Sequence, residues 1–304
     1  MYTDIKNFLP SNILFFNEPL KKHTTFRIGG AADLLVTPQS EEQLIKLFKY
    51  LKENCIRYVI IGNGSNLLFS DDGYRGIVVK IGSELSSIEA IPCENGMIIN
   101  AGAGTLLSKL ALFACENNLT GLEFASGIPG NVGGAVLMNA GAYDGEISQV
   151  LVRSTYLDCE NLSVCTKNFD EHDFSYRHSS YENDGYLILS ASFLLKKGNK
   201  EDILSKMKDL NNRRITKQPL EFPSAGSTFK RPAGLFAGKL IEDANLKGYT
   251  VGGAKVSEKH CGFVINTGNA TCEDVLGVIK YVQNTVFAKF GVELETEVKI
   301  IEAQ

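Results

Sequence analysis

The sequence predicts a mixed α and β protein of two or three domains. Its 304 residues fit two domains, or three, at roughly 100 to 200 residues per domain. Hydrophobic residues make up 44% of the chain and charged residues 22%, which is ordinary globular usage and argues against a disordered or fibrous chain. Segments with helical periodicity alternate with short β-branched runs, so helices and strands are expected to share each domain.

The first half of the chain alternates helix and strand signals. A helix is predicted over 40–53, because Ser40 and Gln43 form a capping box and the following apolar residues lie on one stripe. Thr105 is the expected cap of a second helix, which runs through Asn117. Strands are predicted from apolar, mostly β-branched runs at 58–61, 77–81 and 97–101.

The second half continues in the same way around one glycine-rich segment. Residues 127–145 are too rich in glycine for an ordinary helix and too apolar for a solvated loop. Strands are predicted at 150–157, 186–195, 263–265 and 292–301, and helices at 201–214, 234–244 and 271–290. The change of pattern after Gly198 predicts the start of a C-terminal unit.

Charge and hydropathy argue against two classes of partner. Lys and Arg number 31 and Asp and Glu 35, so nucleic acid is not expected as the main partner, because phosphate binding needs a basic excess. No signal-peptide core and no run of roughly 18 apolar residues is present, so we expect a cytoplasmic protein with reduced thiols and no membrane insertion. Cys159, Cys165 and His172 match no common zinc spacing, and no metal is expected.

Two glycine-rich loops carry the first functional argument. Residues 62–66 read GNGSN directly after a predicted strand, and the second loop is the 19-residue segment 127–145, which begins GIPGNVGG. Without a Cβ, such loops let backbone N–H groups approach ligand oxygens, and pyrophosphate is the usual ligand. The spacing is not that of the Rossmann fingerprint, and GLFAGK at 234–239 is too short for a P-loop. Together the loops predict a large nucleotide cofactor held by main chain, with tight turns or close strand packing as the alternatives.

Seven segments resemble one enzyme family, in the family's own order. They are GNGSN at 62–66, GIPGNVGGAVLMNAGAYDGEI at 127–147, YRHS at 176–179, KQP at 217–219, PSAGSTFKRP at 223–232, SEKHCGFVIN at 257–266 and LETEV at 294–298. Together they make the chain similar to the UDP-N-acetylenolpyruvoylglucosamine reductases, the MurB family. The resemblance extends from about residue 24 to residue 301.

This resemblance implies a flavin-binding fold of the p-cresol methylhydroxylase and vanillyl-alcohol oxidase type, with an α/β substrate domain at the C-terminal end. Residues 1–85 and 86–197 would form two α/β subdomains that bind FAD non-covalently, and residues 198–304 the substrate-binding domain. The implied reaction is the NADPH-dependent reduction of UDP-N-acetylglucosamine enolpyruvate to UDP-N-acetylmuramate, in peptidoglycan precursor synthesis. Hydride would pass from NADPH to FAD and then to C3 of the enolpyruvyl group.

The resemblance also implies which residues bind the cofactor and move the proton. Ser227 would donate a proton to C2 of the resulting enolate, and Glu297 would polarise the substrate or stabilise the enolate. The FAD-binding residues are expected on the two loops, at Gly62, Asn63, Gly64, Ser65, Asn66, Gly127, Ile128, Pro129, Gly130, Gly133 and Gly134.

Four basic residues are implied to bind the substrate. The planar fork of Arg177 suits the substrate carboxylate, whose electron withdrawal is needed for hydride attack, and this makes Arg177 the third catalytic residue. Lys217 would lie near the phosphates of substrate or NADPH. Lys230 and Arg231 are close in sequence to Ser227, and as cations they would activate its weakly acidic hydroxyl.

The sequence departs from the family pattern at three positions and in one length. Asp144 stands in place of a glycine, Thr296 in place of a proline and Cys261 in place of an alanine, and none touches the catalytic assignments. The segment between Arg177 and Lys217 is too short for the tyrosine-bearing lid of one family class. The chain therefore resembles the class without this lid.

From the residues alone, each assignment has a plainer alternative. Ser227 would be a turn residue, Glu297 part of a solvated strand face, and Arg177 a surface partner of Asp173 or Glu182. Two rival functions also remain open. One is a flavin oxidase with a histidine-linked flavin, and the other is a nucleotide-binding protein without catalysis.

Overall fold

The computed structural model describes residues 2–143, 145–182 and 185–303, so Asp144 lies outside the described residues. Within these ranges the α-helices are α1 Glu41–Glu53, α2 Leu107–Glu116, α3 Val132–Leu137, α4 Lys200–Lys217, α5 Ala237–Asp243 and α6 Cys272–Phe290. The strands are β1 Leu14–Pro19, β2 Ala31–Val36, β3 Tyr58–Ile61, β4 Leu67–Phe69, β5 Tyr74–Lys80, β6 Ile88–Cys93, β7 Gly96–Gly102, β8 Leu119–Thr120, β9 Gly141–Ala142, β10 Gly145–Glu146, β11 Leu151–Asp158, β12 Ser163–Asn168, β13 Tyr186–Lys197, β14 Thr250–Val251, β15 Ala254–Val256, β16 Val264–Asn266 and β17 Lys299–Ile301. No described helix is both long enough and apolar enough to span a bilayer.

The chain divides into two compact units, neither of which is continuous in sequence. The first comprises Met1–Phe15, Leu35–Asn63 and Ile77–Arg214, and the second comprises Phe16–Leu34, Gly64–Gly76 and Ile215–Gln304. The ranges 1–85, 86–197 and 198–304 were predicted as ligand-binding parts. Compactness does not test that division, so it stays a prediction.

An antiparallel sheet forms the centre of the first unit. Its strand order is β12-β11-β13-β7-β6, and β8 pairs with the end of β13. The long strand β13 is buried at Leu187, Phe193 and Leu195, and the short helix α3 packs against it. This sheet therefore supports both the glycine-rich segment and the loop that carries Arg177.

Local signals explain why α1 forms in the same unit. The Ser40 hydroxyl accepts a hydrogen bond from the Gln43 backbone N–H, and the apolar stripe of the helix is buried, as predicted. The Gln43 side chain reaches back to the backbone N–H of Gln39, one residue before the position a capping box requires. The ring of Phe48 packs edge-on against Tyr58 of β3, with centroids 5.2 Å apart.

The second unit is built around α6. This helix begins after the capping box of Thr271 and Asp274 and ends at Gly291, whose φ of 67° favours glycine. Its buried face joins one core with the antiparallel strands β14, β15 and β16 and with helix α5. In the same unit β17 pairs in parallel with β4, in the register Lys299 to Leu67.

Three predictions about elements are wrong. Thr105 does not cap α2, which begins at Leu107, because the buried Thr105 hydroxyl instead donates to the carbonyl of Ser87. The glycine-rich segment does contain a helix, α3, because packing against β13 outweighs the low helix propensity of its glycines. The strand predicted over 292–301 forms only over its last three residues, as β17.

The shortening of that last strand has a simple cause. Residues before β17 make single backbone hydrogen bonds with residues 228–230 rather than a continuous ladder. Thr296 forms an isolated bridge with Phe229, and Lys230 N–H donates to Glu295 O. Leu294 and Val298 are buried, whereas Ile300 is exposed.

Candidate active site

Asn63 joins the two predicted cofactor loops within the first unit. Its side-chain nitrogen Nδ2 donates to the carbonyl oxygen of Pro129 at 2.6 Å. Gly62 also faces the second loop, since a Cβ built on it would lie 3.6 to 3.7 Å from the side chain of Asn131. Two segments that the sequence assigned to one ligand are thus brought together by direct contacts.

Asn131 leaves a buried acceptor for a ligand. Its Nδ2 donates to the carbonyl of Ile81 at 3.1 Å, whereas its Oδ1 is buried and has no hydrogen-bond partner among the residues that the structure describes. Leaving such an atom unpaired costs about 1 to 3 kcal/mol. A ligand hydroxyl or N–H group at this position would satisfy it, and FAD carries both.

Gly134 leaves open space beside the backbone. A Cβ at this position would meet nothing within 4 Å, and the residue is exposed within helix α3. Glycine in a helix interior costs about 1 kcal/mol relative to alanine, and no packing contact explains the choice here. Space for a ligand against the main chain does explain it, so the loop residues fit FAD.

Backbone hydrogen bonds fix the first turn of the same loop. The N–H of Ile128 donates to the carbonyl of Ala125 at 3.1 Å, and the carbonyl of Gly130 accepts from the N–H of Leu107 at 3.0 Å. These bonds hold the loop before α3 in one shape. A rigid main-chain cradle of this kind suits a ligand that is recognised by backbone groups.

Two other glycines of the loop are explained by packing. A Cβ on Gly133 would lie 3.0 Å from the Cβ of Ala103, which is tighter than ordinary contact. A Cβ on Gly127 would lie 3.2 Å from Cδ of Arg214. Close packing therefore accounts for these positions whether or not they also contact the cofactor.

The last three residues of GNGSN belong to the second unit. Gly64 has a φ of 64°, and a Cβ there would lie 2.1 Å from the carbonyl oxygen of His23. Its own carbonyl accepts from the N–H of Thr25 at 3.2 Å. Gly64 is thus required by the fold itself. Ser65, which follows it, is a half-buried turn residue.

Ser227 and Glu297 lie on two neighbouring stretches of main chain in the second unit. The N–H of Glu297 donates to the carbonyl of Thr228, the residue after Ser227, at 2.8 Å. The carbonyl of Glu297 accepts from Nδ2 of Asn66 at 3.0 Å. The buried hydroxyl of Thr228 accepts from the N–H of Val264 at 3.0 Å, which anchors the backbone around Thr228 to strand β16. Both predicted proton-handling residues are half-buried on a well-anchored backbone.

The three other basic residues of the prediction also lie in the second unit. Lys230 forms an ion pair with Glu295, with Nζ 2.5 Å from the carboxylate. The guanidinium of Arg231 lies 4.8 Å from the ring centroid of Phe236, and Lys217 is exposed at the end of α4. The assistance of Ser227 by Lys230 and Arg231 and the position of Lys217 near the phosphates stay predictions.

Arg177 lies in the first unit on a tight turn. Its φ is 57°, a conformation that non-glycine residues adopt at a cost of about 1 to 2 kcal/mol. Its Nη2 donates to the carbonyl of Gly141 at 3.1 Å, and its guanidinium lies 5.0 Å from the ring centroid of Tyr176. The Glu182 carboxylate, one proposed surface partner, lies 2.6 Å from Nδ1 of His178. Strained, half-buried residues of this kind are concentrated at functional sites.

Comparison with known proteins identifies the family. A family model for the FAD binding domain matches residues 32–160, and the model for the C-terminal domain of UDP-N-acetylenolpyruvoylglucosamine reductase matches residues 218–301. The UDP-N-acetylenolpyruvoylglucosamine reductase of Caldanaerobacter subterraneus subsp. tengcongensis is 53% identical, over 98% of this chain and 96% of the relative. The chain belongs to the UDP-N-acetylenolpyruvoylglucosamine reductase family.

Further reductases and solved structures agree. The reductase of Clostridioides difficile is 48% identical over 99% of this chain and 97% of its own. The crystal structure of the MurB reductase from Thermus caldophilus has a TM-score of 0.80 at 34% identity, covering 93% of this chain and 97% of that one. The glucose dehydrogenase Phl p 4.0202 shares the fold alone, with a TM-score of 0.51 at 10% identity over 95% of this chain and 62% of its own. The predicted family and flavin-binding fold class are confirmed.

Sequence reasoning missed one charged residue of this reductase. Arg214 lies near the end of α4, and its side chain runs along Gly127 of the cofactor loop. Burial lowers the pKa of its guanidinium, and no carboxylate pairs with it among the described residues. Because α4 carries many Lys and Arg residues, Arg214 could not be distinguished by sequence from a solvent-exposed charge. Only its position three residues before Lys217 could have drawn attention to it.

Proposed function

We propose that this protein reduces UDP-N-acetylglucosamine enolpyruvate to UDP-N-acetylmuramate, a step of peptidoglycan precursor synthesis, with FAD as cofactor and NADPH as reductant. The observation that carries the proposal is family membership along nearly the whole chain. The unpaired acceptor of Asn131 and the open space at Gly134 support a bound dinucleotide. The enzyme would act on a small nucleotide sugar, without nucleic acid or membrane insertion.

The cofactor loops bind FAD mainly through main chain. Asn63 holds Pro129 in place, and Asn131 accepts a hydrogen bond from the ligand through its Oδ1. Gly134 lets the ligand lie directly against α3. Held there, FAD would supply the hydride-transfer chemistry that couples oxidation of NADPH to reduction of the enolpyruvyl group at C3.

Arg177 binds the substrate carboxylate. Its guanidinium donates two parallel hydrogen bonds to a carboxylate, which a lysine cannot do. Holding the carboxylate in the plane of the double bond keeps C3 electrophilic and fixes the substrate for hydride attack. The bond from Nη2 of Arg177 to the Gly141 carbonyl holds the guanidinium beside the glycine-rich segment.

Ser227 and Glu297 complete the reduction. Ser227 donates the proton that C2 requires, and Glu297 polarises the substrate or stabilises the enolate. The main-chain bond between Glu297 and Thr228 keeps the two residues in register, so that neither has to be ordered when substrate binds. Lys217 offers positive charge to the phosphates of substrate or NADPH, and the charges of Lys230 and Arg231 help the Ser227 hydroxyl to release its proton.

A cytoplasmic location is part of the proposal. All seven cysteines are free thiols. Burial raises the pKa of the Cys159 and Cys272 thiols to about 12, so both stay protonated and unreactive at neutral pH. Unpaired cysteines are typical of a reducing compartment.

An absorbance spectrum of the purified protein tests this function. We expect a visible flavin band that NADPH bleaches without oxygen and that the enolpyruvyl substrate then restores. A flavin band that NADPH does not bleach would favour the rival function, that of a nucleotide-binding protein without catalysis. Flavin that stays with acid-precipitated protein would instead favour the histidine-linked oxidase, and a band restored by oxygen but not by substrate would refute the reductase assignment.

A further inference from the structure

A buried hydrogen-bond chain closes the base of the loop that carries Arg177. Nε2 of His172 lies 2.7 Å from the hydroxyl of Ser154, which lies 2.8 Å from the hydroxyl of Tyr181. His172 is 0%, Ser154 1% and Tyr181 2% exposed. His172 and Tyr181 flank Arg177 in sequence, whereas Ser154 belongs to strand β11. The chain therefore ties both ends of the loop to the central sheet.

The hydrogens of this chain can be assigned in one direction. Nδ1 of His172 lies 2.8 Å from the carbonyl oxygen of Asn168, which can only accept, so Nδ1 carries the hydrogen. Nε2 then accepts from Ser154, and the Ser154 oxygen accepts from Tyr181. Burial lowers the pKa of His172, which keeps the ring neutral. Each group is satisfied in a single orientation, which is what makes a buried polar network rigid.

The tip of the loop is held from the glycine-rich segment. Nδ2 of the buried Asn139 donates to the carbonyl of Ser175 at 3.1 Å. The buried hydroxyl of Ser179 donates to the carbonyl of Leu137 at 2.7 Å. These bonds lie on either side of Arg177, so the position of the turn depends on both its base and its tip.

We propose that the chain Tyr181–Ser154–His172 is a positioning network that holds Arg177 in its left-handed backbone conformation for binding the substrate carboxylate. The inference rests on the proposed role of Arg177. A strained residue persists only where its surroundings over-determine it. Buried apolar side chains could close the loop with similar stability, but they would not fix the orientation of its ends as directional hydrogen bonds do.

The test compares two substitutions that each remove one hydroxyl from one aromatic cluster. Tyr181→Phe keeps a ring whose centroid lies 5.4 Å from that of Tyr156 and 4.4 Å from Nζ of Lys167, but it removes the donor to Ser154. Tyr186→Phe is the matched control. Its ring lies 5.2 Å from the same Nζ, and its hydroxyl makes no hydrogen bond with any residue that the structure describes.

We expect Tyr181→Phe to raise KM for the enolpyruvyl substrate about tenfold, the lower end of the effect of removing an outer-shell partner in metal sites. Flavin content and the rate of flavin reduction by NADPH should stay at wild-type values, and Tyr186→Phe should match wild type throughout. If Tyr181→Phe does not fold, Ser154→Ala removes the middle link under the same measurements. An unchanged KM, or a change shared equally by Tyr186→Phe, would overturn the proposal.

Arg177→Lys, measured in the same assays, distinguishes a wrong role for Arg177 from a wrong role for the positioning network. If Arg177→Lys also leaves KM and substrate turnover unchanged, the proposed role of Arg177 is wrong. If Arg177→Lys impairs substrate reduction while Tyr181→Phe does not, Arg177 keeps its role and the positioning network alone is rejected.

Discussion

Replacing Gly134 tests whether the glycine-rich loop holds the cofactor. Its backbone is in an ordinary helical conformation, and a Cβ would meet no described atom within 4 Å. Both Gly134→Ala and Gly134→Val should therefore fold. Alanine in place of a helical glycine should stabilise the flavin-free protein by up to about 1 kcal/mol, and valine by less because it is β-branched.

The effect on flavin should have the opposite sign. Valine places three carbons where the ligand is expected to lie against the main chain, and we expect FAD affinity to fall at least tenfold, or about 1.4 kcal/mol. At free FAD equal to about 100 times the wild-type Kd, bound cofactor stabilises the fold by about 2.7 kcal/mol. A tenfold weaker site leaves about 1.4 kcal/mol, so the stability difference between loaded and flavin-free protein should be roughly halved.

Two measurements suffice for this test, the ratio of flavin to protein absorbance and thermal unfolding with and without FAD. Gly64→Ala is the contrasting control, because its φ of 64° and the 2.1 Å approach to His23 predict a less stable protein even without flavin. If Gly134→Val keeps the wild-type flavin ratio and the full stabilisation by FAD, the open space at Gly134 is not the cofactor site.

Substitutions at three other residues address the chemistry and the pH dependence. Arg177→Lys should slow reoxidation of the reduced flavin by substrate while NADPH still reduces it, and unchanged turnover would return Arg177 to a structural role. Ser227→Ala should slow the same reoxidation by about 10²- to 10⁴-fold, Ser227→Cys should retain part of the activity, and a loss below about tenfold in stopped-flow traces would assign the proton to another donor. His172 has a folded pKa below its ordinary 6.5, so the unfolded chain binds the proton more readily and stability should be full above pH 6.5 and fall as the pH drops towards the folded value. His172→Gln should flatten that fall in urea titrations between pH 7 and pH 5, and an equally steep fall in the variant would show that other groups cause it.

Local signals account for the parts of the fold that the sequence predicted well. Helices α1 and α6 begin at Ser40 and Thr271 caps, and both carry an apolar stripe that the structure buries. Helix α3 was missed because its stability comes from packing against β13, which propensity does not contain. The pairing of β4 with β17 could not be foreseen, because nothing local links residue 67 with residue 299.

The candidate site also contains features that local sequence predicts and features that depend on residues distant in sequence. The need for glycine is local, so the loops at 62–66 and 127–134 could be selected from the sequence, and Asn63 joins them. The unpaired acceptor of Asn131 and the half-buried charge of Arg214 depend on neighbours distant in sequence and could not. The roles of Ser227, Glu297 and Arg177 and the absence of the lid come from resemblance and stay predictions.

The pairing of β17 with β4 affects how the gene can be divided. Residues 215–304 do not form a self-sufficient module, since their last strand completes a ladder with residues 67–69 and their core includes Phe26, Ile28 and Leu68. A fragment that begins at residue 198 would leave β17 without its ladder and expose the apolar surface that these residues cover. Recombination between relatives, or insertion of a reporter, should therefore succeed only when residues 16–34 and 64–76 come from the same parent as the C-terminal segment.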